Sequence, residues 1–158
     1  MPTETIDCQY TEFKNPRDTM DITAIQESLA QEMITEWSFV PTGNGLLIIT
    51  NWRLPNMQNI EIHIRRIGER EDLYLVTDGG ELFNMFYLMG LDISSDRNAM
   101  DIISRVAQGY GAKLVDGQMV KGANEGDFQG AIRRLLEAVK EASFLLWGRV
   151  PEGHFSKH

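Results

Sequence analysis

The residue of this chain that most invites a chemical reading is an aspartate at the end of an apolar strand. In LYLVTDGGELFNMFYLMGLDI, Leu73 to Ile93, Asp78 follows a run of apolar residues and precedes two glycines and a helical pattern. A carboxylate in such a place can ligate a divalent cation or move a proton if other groups converge on it. The preceding stretch IEIHIRRI offers Glu61 and His63, alternate residues of a strand. If Leu73 and Leu75 face the same core as Ile60, Ile62 and Ile64, strand alternation puts Asp78 on the face of Glu61 and His63. The three would then form a small metal or acid–base site, as a metal-dependent hydrolase or nuclease-like enzyme requires. The structural alternative is that Thr77 or Asp78 caps the following helix, with Gly79 and Gly80 making the sharp turn. His63 is then exposed and pairs with polar neighbours across strands.

Other chemistries leave no trace in the residue order. GxxxxGK[ST], GxSxG, HExxH and a dinucleotide-binding GxGxxG after a strand are all missing. Only His63 lies outside the C-terminal tail, which carries His154 and His158, so a catalytic triad could draw on one histidine. A restriction-type nuclease would carry an acid-x-Lys strand, and EIHIRR has His63 in place of the lysine. The single Cys8 reads as an incidental thiol, with no second cysteine for a disulfide and no Cys/His cluster for zinc. No cofactor is expected.

The elements that must position Asp78 can be read from periodicity. Residues Asp21 to Trp37 repeat apolar side chains at helical steps, with Asp21 as N-cap, and predict a first helix. PTGNG is a turn, LLIITNWRL a strand ending near Pro55, and IEIHIRRI the clearest half-buried strand. LYLVTD is apolar on both faces, as a central strand covered on both sides would be. Helices follow over Leu82–Met89, closed by Gly90, and over the DRNAMDIISRVAQGYG stretch. AKLVDGQMVKG predicts a hairpin with a type I′ turn at Asp116-Gly117, and a long last helix begins near Asp127. The fold class is α+β: a small antiparallel meander, a second short hairpin and about four helices.

A length of 158 residues, 42% hydrophobic and 24% charged, fits one globular domain. The division read from periodicity is an N-terminal arm over 1–20, a domain over 21–148 and a tail over 149–158. No apolar run is long enough to span a bilayer, and the N-terminus has acids where a signal peptide needs positive charge, so a cytoplasmic protein is expected. The net charge of −8 is concentrated in residues 1–36, which hold eight acids against two bases. That sign disfavours direct contact with nucleic-acid phosphates. It suits a basic protein partner reached through Glu27, Glu32 and Glu36, although a solvated helix face is the plainer reading. Arg65-Arg66 and Arg133-Arg134 are basic pairs that would matter only if they met. Met85, Met89, Met100 and Met119 fall at core spacing, and Tyr87 and Trp147 beside them could support a homodimer.

The order of these elements resembles an uncharacterised bacterial and phage family, the domain-of-unknown-function 1828 family. The resemblance rests on a strand ending in T-D-x-G, a helix closed by a G-[LI]-D-like turn, a further helix, a glycine and a short strand pair. It covers roughly Thr50 to Trp147. Where many members carry a polar residue after T-D, this chain has Gly79, which is expected to loosen the turn. The resemblance implies a fold and a bacterial or phage origin. Together with the acidic surface, it leads to the expectation of a non-enzymatic protein-binding module, an inhibitor or adaptor of a nucleic-acid-handling or defence complex.

Overall fold

The computed structural model describes residues 23, 25, 36–69 and 72–151. Six antiparallel strands form one sheet: β1 (Ser38–Thr42), β2 (Gly45–Arg53), β3 (Asn59–Arg66), β4 (Leu73–Thr77), β5 (Lys113–Val115) and β6 (Gln118–Asn124). Their order across the sheet is β1-β2-β3-β4-β6-β5. The described α-helices are α1 (Glu81–Leu88), α2 (Arg97–Gly109) and α3 (Phe128–Trp147). The class is α+β. The second hairpin joins the meander in one sheet, because β6 pairs along the whole of β4, from Leu73↔Asn124 to Thr77↔Val120.

Most of the expected first helix lies outside the described residues. Its proposed last apolar residue, Trp37, is not helical, and its indole N–H donates to Asn51 Oδ1 at 3.0 Å. The chain then enters β1, a strand that the periodicity did not suggest because Pro41 interrupts SFVPT. Proline is acceptable there since β1 is an edge strand, where a missing N–H need not break the ladder.

Register decides which side chains become core. Leu46 faces Ile64, Ile48 faces Ile62, and Ile64 faces Val76, so these residues share one side of the sheet, with Tyr74 and Met119. All of them are buried. Helix α3 lies against this side along its buried stripe, which includes Ile132, Leu135, Leu136 and Val139, and the Phe128 and Tyr74 rings approach to 5.0 Å. Leu73 and Leu75 belong to the other side and are half-buried, as are Leu47, Ile49 and Val120. Among the described residues the helices therefore cover one face of β4, while on the other Leu73 and Leu75 are half-buried and Thr77 is buried. Burying a β-branched or aromatic side chain on that face stabilises by roughly 1.5–3 kcal/mol each, which is why the isoleucines of β3 can fix its register.

Local chemistry sets the ends of the elements. Helix α1 ends with Gly90 at φ 93°, where Leu91 N–H donates to the Phe86 carbonyl at 2.8 Å. The β5–β6 turn has Asp116 at φ 50° and Gly117 at φ 76°, the left-handed pair that a type I′ hairpin needs. Asp96 caps α2 by accepting Ala99 N–H at 3.1 Å, and it also receives both hydrogen bonds of the Arg149 guanidinium, at 3.0 and 2.8 Å. Arg149 and the buried Val150, placed by periodicity in the tail, thus pack back onto the domain.

The Arg149 hydrogen bonds, followed by the Ala99 N–H, hold the Asp96 carboxyl below the usual carboxylate range. Its stabilising contribution is present above the unfolded-state value and is lost as pH falls through the depressed folded value. Arg149→Gln is expected to lower the melting temperature at neutral pH and to shrink that difference as the pH is taken down to where Asp96 protonates. Thermal melts of the two proteins across the acid range check it.

Candidate functional site

The turn between β4 and α1 is built around one carboxylate. Asp78 continues the alternation of β4, and its position opposite Met119 puts it on the helix-covered face, where it is 1% exposed. Its N–H donates to the Met119 carbonyl at 3.2 Å. In return Oδ1 accepts Met119 N–H at 3.0 Å and Gly80 N–H at 3.1 Å, while Oδ2 accepts Leu82 N–H at 3.3 Å. The carboxylate is thereby shared among the turn, the first turn of α1 and the neighbouring strand. Gly80 occupies the N-cap position at φ 84° and, having no side chain, cannot cap; Asp78 does so from two residues earlier.

Thr77 points to the other face. Its hydroxyl accepts Gly79 N–H at 3.1 Å and donates to Gln118 Oε1 at 3.0 Å. The four residues Thr77, Asp78, Gly79 and Gly80 thus form the predicted turn, but in a tighter form than the resemblance suggested. Gly79 holds φ 68°, and a Cβ added to it would lie 2.7 Å from Cδ2 and Nε2 of His63, whose ring therefore rests against the glycine backbone. This glycine closes the turn onto His63 and does not loosen it.

The proposed trio of Glu61, His63 and Asp78 does not assemble. His63 pairs with Thr77 and Glu61 with Ile49, so both belong to the open face, while Asp78 lies under the helices on the opposite one. The trio requires Leu73 and Leu75 on the core side of β4, and the pairing of Ile64 with Val76 gives that side to Tyr74 and Val76 instead. Among the described residues, no group of three or more His, Cys, Asp and Glu residues could hold a metal ion. Arg65 and Arg66 likewise alternate to opposite faces and cannot act as one patch. Of the acidic trio, Glu27 and Glu32 lie outside the described residues; Glu36 is exposed.

Two features of the surface stand out, the second of which extends the Tyr87 and Trp147 patch read from the sequence. The open face carries a cleft of about 300 Å³ bordered by Thr42, Asn44, His63, Arg65, Thr77 and Gln118. Its nearest sequence signal was the T-D-G-G turn; the contributions of the β1–β2 turn and the β5–β6 hairpin depend on strand order. On the helical layer, Tyr87 and Leu88 at the end of α1 are 64% and 70% exposed, and Phe144 and Leu145 near the end of α3 are 55% and 54% exposed. The rings of Phe86 and Trp147, 6.4 Å apart, bring these two helix ends together. Among the described residues no helix is long and apolar enough to cross a membrane. Comparison with protein-family models, with curated proteins and with solved structures yields no match.

Burial raises the Asp78 carboxyl above its ordinary value, an effect that the N–H groups of Met119, Gly80 and Leu82 only partly offset. Between the ordinary and the raised value the folded chain keeps a proton that the unfolded chain has released, so stability falls as pH rises through that window. The decline should be absent in Asp78→Asn, and acid-range unfolding curves of both proteins test it. Asp78→Ala leaves buried Leu82 and Met119 N–H groups without an acceptor and is expected to cost about 2–4 kcal/mol in urea denaturation; Asp78→Asn, which keeps one acceptor, should cost roughly 1–2 kcal/mol.

Gly79→Ala meets both a left-handed backbone and the His63 ring. A loss of about 1–2 kcal/mol is expected from the backbone alone. The His63 ring resonances should shift at the same time, which two-dimensional NMR of the variant would detect.

Proposed function

We propose that this chain is a non-enzymatic binding module that acts through protein–protein contacts. The observation that carries this reading is the exposure of Tyr87, Leu88, Phe144 and Leu145 on two helix ends that meet through Phe86 and Trp147. Single exposed apolar residues are ordinary, but two pairs of large ones on helix ends linked by the Phe86–Trp147 contact are side chains that contact with another protein would take out of water. Aromatic residues are enriched among those that dominate binding energy at such surfaces. The cost of leaving them exposed is accounted for if a partner covers them.

Charge supports a partner of complementary sign. Residues 1–36 hold eight acids against two bases, and Glu36 is exposed where the chain enters β1. Glu27, Glu32 and Glu36 then steer a basic protein toward the module, an effect chiefly on the rate of encounter. The resemblance to the bacterial and phage family favours an inhibitor or adaptor of a nucleic-acid-handling or defence complex, and the same helical surface could pair two copies. Asp78 has no part in this reading beyond holding the scaffold, since its oxygens are engaged by backbone N–H groups.

The test is purification of the tagged chain from bacterial cells, followed by measurement of affinity for any stoichiometric partner or for itself. A Leu88→Ser/Phe144→Ser double variant with an unchanged circular dichroism spectrum should weaken that complex at least about tenfold. Replacing Glu27, Glu32 and Glu36 by lysine should slow association, with a reduced salt dependence. A complex unaffected by either set of changes would exclude both surfaces.

A further inference from the structure

The cleft on the open face has a composition unlike the rest of this acidic chain. Its border includes Arg65 and His63 from β3, Thr42 at the end of β1, Asn44 from the β1–β2 turn and Gln118 from the β5–β6 hairpin, and among the described residues no carboxylate. The molecule as a whole carries a net charge of −8. Arg65 and His63 are alternate residues of one strand, with their Cα atoms about 7 Å apart on the same side, a spacing that lets their polar ends converge on one small group. The nearest acid on that face of β3 is Glu61, one further step along the strand and outside the cleft.

The hydrogen bonds at its floor set the polarity of the remaining donors. Thr77 accepts from Gly79 N–H, so its own proton is free to go to Gln118 Oε1, 3.0 Å away. That contact engages the carbonyl end of the Gln118 amide and leaves its NH₂ as the group available to a ligand. The His63 ring is held in place by the backbone of Gly79, which admits no Cβ there. A guanidinium, an imidazole, two amides and two hydroxyls thus surround about 300 Å³, a volume at the small end of the range for ligand pockets.

We propose that this cleft binds a small molecule through an oxyanion, a phosphate or carboxylate group that pairs with Arg65 and accepts from the Gln118 NH₂. The planar guanidinium fork matches both kinds of oxyanion, and among the described residues no carboxylate lines the cleft to repel one at close range. The site is independent of the helical surface assigned above, and it needs neither a metal nor a reaction.

The experiment is a ¹H–¹⁵N NMR titration of the whole chain with inorganic phosphate and, separately, with acetate, each against chloride at matched ionic strength. Saturable shifts are expected at the amides of Asn44, Gly79 and Gln118 and at the Arg65 side chain, with chloride silent; the tighter of the two anions identifies the group. Arg65→Gln, an exposed substitution that leaves the core untouched, should weaken binding about tenfold or more, and Gln118→Glu should abolish it by adding a carboxylate. Shifts that do not saturate, that chloride reproduces, or that persist unchanged in Arg65→Gln would overturn the assignment.

Discussion

The Asp78 carboxylate is buried to within 1% of full exclusion from water, and a group so placed must find its hydrogen bonds inside the protein. It finds three, from Gly80, Leu82 and Met119, which belong to the turn, to α1 and to β6. Each of these donors is in position only if β6 lies beside β4 and α1 starts where it does. The carboxylate therefore ties the seating of the hairpin to the start of the helix, although the two are 41 residues apart in the Asp78–Met119 pair. Isoleucines and leucines can fill a core in more than one arrangement, whereas a buried acid tolerates few.

Two further contacts carry this constraint across the sheet. Thr77, the residue before Asp78, faces the other way and holds Gln118; Gly79, the residue after it, packs against His63. The three consecutive residues thereby organise both faces at once. The covered face becomes a packed layer under α3, and the open face acquires a polar cleft whose donors are oriented by the same turn. The two proposed surfaces fall on different sides of this division: the exposed apolar residues at the ends of α1 and α3, and the cleft with Arg65, His63 and Gln118 on the open face.

Much of this architecture was legible in the residue order. The alternation of IEIHIRRI, the Asp116-Gly117 turn, Gly90 as a helix stop and the apolar stripe of the last helix all have local physical causes, and those elements form where the pattern puts them. The Asp78 cap was legible too, since aspartate before a helix has a local use. The strand β1 was not, because proline argues against a strand in general and its acceptability depends on being at an edge. Nor was the face of Asp78: LYLV is apolar at both parities, so alternation within β4 could not choose between Leu73 and Leu75 on one side and Tyr74 and Val76 on the other.

By itself, then, the sequence determined the type and approximate extent of the strands and helices from LLIITNWRL onward, the turn at Thr77–Gly80, and the concentration of acid in the first 36 residues. These depend on neighbours within a few positions, where backbone conformation and side-chain spacing act directly. Only the tertiary structure decided that β6 pairs with β4, that Asp78 lies apart from Glu61 and His63, and that Arg65, His63 and Gln118 share a cleft. Those outcomes depend on pairing between distant strands, and a register shift of one residue would have reversed every one of the faces involved.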